Sequence, residues 1–341
     1  MLLDLRVRNF RCIEAAELVL DAHLNVFTGA NGAGKTSLLE AIFFLGRGRS
    51  FRAADNRVLI GPASLRAEIR GRVSGQEGNA YLGVGVSPGE LDVHVDGQAG
   101  LRVAELAARF GVQAIDADIH ALAGGPPEPR RRLLDWGVFH VEHGYLEAWR
   151  AFRRALAQRN AALREQAPDA VLAAWESRLA TAGMVVDEQR RRYAEQLEPK
   201  FRWLGSQLLG IEPSLDYVPG WAKGQELSAA LEAGRDTDRQ LGFTRLGPQR
   251  ADLRCEINEQ STRWRASKGQ QKLLGAALVL AQLHLAAEAM GGEATLLVDE
   301  PAADLDEERL RALLAAIRNT PAQVCIASIS TRSLSLPGDA R

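Results

Sequence analysis

Eight consecutive residues, Gly29-Ala30-Asn31-Gly32-Ala33-Gly34-Lys35-Thr36, followed by Ser37, have the types and spacing that hold a phosphate chain. Glycines let successive backbone N–H groups close around phosphate oxygens, and a helix starting at Lys35 adds the positive end of its dipole. In the pattern G-x-x-x-x-G-K-[ST], the lysine neutralises the β- and γ-phosphates and the Thr36 hydroxyl is a ligand for Mg²⁺. Far along the chain, the apolar run Leu296-Leu297-Val298 ends in Asp299 and Glu300. A carboxylate at the end of a buried strand can hold Mg²⁺ through its water shell, the role assigned to Asp299. Glu300 is then the catalytic group that polarises water, with Lys35 as its companion. Two acids after a strand mean little alone. One ATP with its Mg²⁺ needs both segments, so the two ends of the chain must fold together.

A third segment, Ser267-Lys268-Gly269-Gln270, opens a long apolar helix, with Ser267 as its expected N-cap. It offers a hydroxyl, backbone N–H groups and a helix dipole, which is a second phosphate-binding surface. A single ATP does not need two such surfaces from one chain. The economical arrangement is two molecules face to face, each presenting this turn to the other's γ-phosphate.

These segments need strands and helices to position them. Residues 2–9 alternate as a half-buried strand, and 24–28 form a strand that runs into the glycine turn. Lys35 to Leu45 reads as a helix with Leu38, Leu39, Ile42 and Phe43 on one face. Residues 65–96 alternate again, with glycines at the turns, as an antiparallel stretch does. The prolines and glycines of 124–129 predict a break, followed by helix from Arg130 to about Leu209, interrupted near Pro168 and Pro199. A turn-rich passage is expected from Pro213 to Gly247. Helix over 268–290, strand over 296–298, a helix capped by Asp306 and a last strand over 324–329 complete the reading. The expected architecture is α/β: head segments 1–118 and 241–341, with a mainly helical arm, 119–240, inserted between them.

Composition sets outer limits. Hydrophobic content of 46% and charged content of 25% over 341 residues suit a globular protein, and no run approaches the ~18 unbroken apolar residues of a membrane span. The charged opening, Met1 to Arg6, lacks a signal peptide's apolar core, so a cytoplasmic location with no membrane partner is expected. Cys12, Cys255 and Cys325 lie far apart, as packing residues rather than a disulfide framework. His140 and His143 read as ordinary helix-face residues, and Trp136, Trp149 and Phe152 as arm core. A net charge of −1 gives no general support for nucleic-acid binding, so any such surface must be local.

The phosphate loop, Ser267 to Gln270, Asp299-Glu300 and then Pro301 to Asp306, in that order along the chain, resemble the signatures of the ABC-type ATPases. Ser267-Lys268-Gly269-Gln270 is similar to the signature motif, and Ala303 to Asp306 to the D-loop that reaches across a dimer. Ala266 stands where a leucine is usual, and Ser328 to Thr331 occupy the region of the switch histidine, a departure consistent with slow hydrolysis. Gln76 is the candidate Q-loop glutamine. Within that superfamily the chain looks like the RecF family, which is related to SMC-type heads. Asn9-Phe10-Arg11, the stretches 34–42 and 46–52, Leu134 to His140 and Gln158 to Leu163 carry the likeness. So does Gly247 to Asp252, with Gln249 where histidine is usual.

The resemblance implies an ABC-type head that dimerises around two ATPs. It also implies binding to double-stranded DNA near gaps, and work with RecR and RecO to load RecA. Basic clusters on the arm, Arg130-Arg131-Arg132, Arg153-Arg154 and Arg190-Arg191-Arg192, are candidate phosphate contacts, set against interspersed Glu142, Glu147, Glu188 and Glu195. Two other readings stay open: the ATPase subunit of a transporter, and a nucleotide-gated DNA-binding module with negligible turnover.

Overall fold

The computed structural model describes residues 1–75, 78–142, 144–258 and 260–330. The chain opens with β1 (Leu2–Phe10), β2 (Ile13–Val19), β3 (Leu24–Thr28), α1 (Lys35–Arg47), β4 (Ala67–Gly75) and β5 (Gly78–Ser87). It continues through β6 (Glu90–Val95), α2 (Val103–Arg109) and β7 (Val112–Ile115). Next come α3 (Ala121–Gly124), α4 (Pro127–Val141), α5 (Tyr145–Arg164), α6 (Asp169–Leu209) and β8 (Pro213–Val218). α7 (Leu227–Ala233), α8 (Arg235–Leu241), β9 (Asp252–Ile257), β10 (Gln260–Ser261) and α9 (Thr262–Arg265) follow. The last elements are α10 (Lys268–Met290), β11 (Thr295–Asp299), α11 (Glu307–Arg318) and β12 (Gln323–Ser328).

Two compact units result. One comprises residues 1–120 and those from Lys268 onward, with 207–209; the other comprises 121–206 and 210–267. Residues 241–267, assigned from sequence to the head, therefore belong to the inserted unit. The reason is pairing: β9 runs antiparallel to β8 from Pro213↔Ile257 to Val218↔Asp252, and Arg130 of α4 grips Asp252.

The first unit contains a parallel sheet in the order β3-β12-β11-β7 and an antiparallel sheet in the order β2-β1-β4-β5-β6. Helix α1 touches strands of both sheets. Leu39, Ala41, Ile42, Phe44 and Leu45 are accordingly all fully buried, so the apolar surface wraps the helix instead of forming the single face that the spacing suggested. Each of the four larger side chains contributes roughly 1.5–3 kcal/mol by leaving water. β11 is buried on both faces from Thr295 to Val298, which is why it reads as an unbroken apolar run.

The two ends of the chain are bound together by Gln323. Its Oε1 accepts from Leu2 N (2.8 Å) and Thr295 Oγ1 (2.9 Å), and its Nε2 donates to Leu2 O (2.7 Å) and Asp21 O (2.8 Å). α10 is long and apolar enough to cross a membrane, yet it packs on β7 and α11 with Leu273 to Leu283 buried. It is a core helix.

In the inserted unit the prolines act differently from expectation. Pro127 and Pro129 lie in the first turn of α4, where helical N–H groups have no partner in any case, so they start a helix and do not prevent one. Pro168 caps α6, but Pro199 lies inside it and the helix continues to Leu209. The passage expected to be turns contains β8, α7 and α8. Trp136 and Phe152 are buried, Trp149 half so, and the fully buried Arg159 donates to Glu176 (2.9 Å), Asp238 (2.8 Å) and Thr244 Oγ1 (2.7 Å).

Candidate active site

Four strand ends meet at one edge of the parallel sheet: Thr28 pairs with Ser328, Asp299 with Ala327, and Val298 with Ile115. Open α/β sheets bind ligands outside this edge. The glycine loop leaves β3 there and enters α1. Gly32 and Gly34 have φ of 83° and 90°, which only glycine adopts without strain. At Gly34 a Cβ would also lie 3.3 Å from Cys12 Sγ. α1 has no side-chain cap and no acid in its first turn, so its leading N–H groups and dipole are left for an anion.

Around this loop the structure gathers Lys35, Thr36, Asp299 and Glu300. The Thr36 hydroxyl lies 3.0 Å from both carboxylate oxygens of Asp299, a contact spanning 263 residues of sequence. Lys35 Nζ donates to Gly29 O (2.9 Å) and Ala30 O (3.1 Å), with Glu300 Oε1 at 3.6 Å. Burial raises the Asp299 carboxyl above the usual carboxylate range; the bond from Thr36 opposes this and the neighbouring Glu300 charge reinforces it. Glu300 has φ 45° and donates its N–H to Ala327 O (3.0 Å). A left-handed glutamate costs about 1–3 kcal/mol and marks a backbone held in place by its surroundings.

Thr36 and Asp299 supply hard oxygen donors of the kind Mg²⁺ takes. Among the described residues no group of three or more His, Cys, Asp or Glu side chains can hold a metal. An ion here needs phosphate oxygens to complete its shell, the usual arrangement for Mg²⁺ at nucleotides.

Two further residues belong to this site and escaped the sequence reading. Asp116 follows β7, one strand over from Asp299. Burial pushes its carboxyl up to about 6, against the bond from Asp118 N–H and with the charges of Asp118 and Asp299 adding. Arg52 is close enough for its charge to stabilise ionised Asp299. It is held at 3.9 Å by Glu40, a fully buried carboxylate of α1 that also accepts from Arg11 Nε (2.9 Å) and Nη2 (2.7 Å) and from Ser50. The stretches around Arg11 and 46–52 are thus tied to the helix behind the glycine loop.

The Ser267–Gln270 turn reaches the loop before α11: a Cβ at Gly269 would lie 3.2 Å from Asp304 O, and Lys268 Nζ is 3.9 Å from Asp304. Asp306 caps α11, accepting from Arg309 N at 2.9 Å. Cys12 is exposed, with Sγ 3.6 Å from Ser37 Oγ, so it is not the packing residue expected; Cys255 and Cys325 are buried. Gln76, His143 and Thr331 lie outside the described residues.

The arm arginines divide. Arg130 is buried and bonds Asp252 (2.7 and 3.0 Å) and the carbonyls of Leu122 and Gly125. Arg190 is buried against Asp135, Tyr145 and Pro248 O. Neither guanidinium is available to DNA, because one side of each helical arginine run faces inward. Arg131 donates to Ala251 O, Arg191 to Asp187, while exposed Arg132 and Arg192 pair with Glu128 and Glu188 one turn back. Arg153 and Arg154 are exposed, the former over the Trp149 ring at 5.5 Å.

The family model described as RecF/RecN/SMC N terminal domain matches residues 1–337. The DNA replication and repair protein RecF of Chromohalobacter salexigens is 42% identical over 315 residues, 91% of this chain and 87% of that one. Its counterpart in Pseudomonas fluorescens (strain SBW25) is 41% identical over 311 residues, 90% of this chain and 84% of that one. Among solved structures, the recombination mediator protein RecF with ATP in the RecFOR pathway superposes with a TM-score of 0.87 at 23% identity. That match covers 100% of this chain and 93% of that one. An SMC head bound to the C-winged helix domain of ScpA gives 0.59 at 15% identity, over 98% of this chain and 91% of that one. The fold is that of an ABC-type head.

Proposed function

The chain belongs to the RecF family, and on that premise we propose that it is an ATP-dependent recombination mediator that binds duplex DNA near single-strand gaps. ATP occupies the loop 29–37. Thr36 and Asp299 would hold Mg²⁺, which would supply positive charge to offset that of the phosphates. Lys35 exchanges the carbonyls of Gly29 and Ala30 for phosphate oxygens. Glu300, beside Lys35, orients the attacking water and takes its proton. Two chains meet face to face, each presenting Ser267 to Gln270 and Asp306 to the other's γ-phosphate. The paired heads retain DNA, act with RecR and RecO to load RecA, and separate after slow hydrolysis in the cytoplasm.

The observation that carries this reading is the meeting of Thr36 with Asp299 and of Lys35 with Glu300, drawn from opposite ends of the chain. A hydrolytic pair so arranged favours turnover over a purely nucleotide-gated module, and family membership displaces the transporter reading. The test is retention of gapped duplex with ATP by the wild type and by Lys35→Arg. The variant should bind ATP and hold DNA but release no phosphate. ATP-independent DNA retention by both proteins would sink the proposal.

A further inference from the structure

Lys272 lies in the second turn of α10 with only 4% of its surface exposed. Its ammonium donates to two carbonyls of the loop between β11 and α11, Pro301 O at 3.3 Å and Ala303 O. That loop is strained at both ends: Glu300 has φ 45° and Asp304 has φ 61°. Non-glycine residues persist in this region only where their surroundings hold them. Here the surroundings are β12, where Ala327 O accepts from the Glu300 N–H (3.0 Å), and α10, through Lys272, through Lys268 to Asp304 at 3.9 Å, and through Gly269, where a Cβ would sit 3.2 Å from Asp304 O.

The same helix therefore carries two things: the turn proposed to meet the partner's nucleotide, and the cation that fixes the loop presenting Glu300 to the chain's own. An ammonium bonded to two carbonyls two residues apart transmits a shift of α10 to the backbone of 301–303. Glu300 is the next residue. Burial lowers the Lys272 pKa, while the carboxylates of Asp304, Asp299 and Glu300 oppose that shift and favour the charged form. We propose that Lys272 is a positioning residue that couples the Ser267–Gln270 turn to Glu300, so that engagement of the partner's ATP sets the geometry for hydrolysis of the chain's own. This rests on the dimer reading above, and adds to it a named relay between the two sites.

The experiment compares the full chain with Lys272→Met and Lys272→Arg. It measures affinity for a fluorescent ATP analogue, dimerisation on Mg-ATP by light scattering, melting temperature, and turnover against ATP concentration. Lys272→Met should bind the analogue and dimerise as the wild type does, while kcat falls about 10–100-fold, as a small misplacement of a catalytic group produces. Lys272→Arg, which keeps a charged donor, should recover part of that loss at unchanged KM. If the Met variant does not fold, Lys272→Gln, which keeps an uncharged N–H donor group, replaces it. Wild-type turnover in the Met variant would overturn the relay, and so would a kcat loss matched by equal losses of analogue affinity and melting temperature in both variants. A wild-type chain that stays monomeric with ATP removes the dimer reading itself. A wild-type dimer with an unaffected Met variant removes the relay alone.

Discussion

Replacing Arg130 with methionine separates the two roles open to the arm arginines. Arg130 makes two charge-assisted bonds to Asp252 and two more to the carbonyls of Leu122 and Gly125, with 8% of its side chain exposed against 13% for Asp252. Methionine fills similar space but leaves Asp252 nearly buried and unpaired. Breaking one side of a buried pair costs about 3–5 kcal/mol. At about 2–4 °C per kcal/mol for a unit of this size, melting should fall by roughly 6–20 °C. The double change Arg130→Met with Asp252→Leu should recover most of that, since an apolar pair of matching volume is close to neutral. Calorimetry of the three proteins provides the numbers, and duplex binding at several salt concentrations provides the control. A single variant that melts with the wild type but binds DNA with a flatter salt dependence would refute the assignment and restore Arg130 to the DNA surface.

Other expectations follow from the same geometry. Changing exposed Arg153 and Arg154 together to glutamine should leave melting within about 1 °C and reduce the slope of log K against log salt by about 2, if both neutralise phosphates; an unchanged slope argues for contacts elsewhere. Ser267→Arg should abolish ATP-driven dimerisation while fluorescent ATP analogue still binds, because the loop of 29–37 is untouched; normal dimers would remove the signature assignment. Asp116 has a folded pKa near 6, above its ordinary value of 3.8, so the folded state binds the extra proton between pH 4 and 6 and stability falls as pH rises through that window. Asp116→Asn should therefore melt higher than the ligand-free wild type at pH 8, with the difference vanishing toward pH 4. Equal melting at pH 8 would show that burial does not penalise the carboxylate.

The phosphate loop was legible because its chemistry is local: eight adjacent residues state both the turn and the charge. Asp299 and Glu300 were legible because a strand buried on both faces reads as an apolar run that stops at the site. Asp116 was not. It is near Asp299 only because β7 lies beside β11, a pairing of residues 183 apart in sequence that leaves no local trace. Arg52 needed Glu40, a buried carboxylate on a helix whose sequence gives no hint that this position faces inward. The basic runs misled for a geometric reason: three successive residues point about 100° apart on a helix, so one of Arg130 to Arg132 and one of Arg190 to Arg192 had to turn toward the interior. Prolines near 127 and at 199 signalled breaks, but the first turn of a helix tolerates them and a long packed helix can absorb one missing bond.

Whether ATP joins two of these heads is read from light scattering at fixed protein concentration. Mass should be that of one chain without nucleotide and double on Mg-ATP, with duplex DNA lowering the ATP concentration required. A chain that keeps the monomer mass under all three conditions would rule out ATP-driven pairing of the heads.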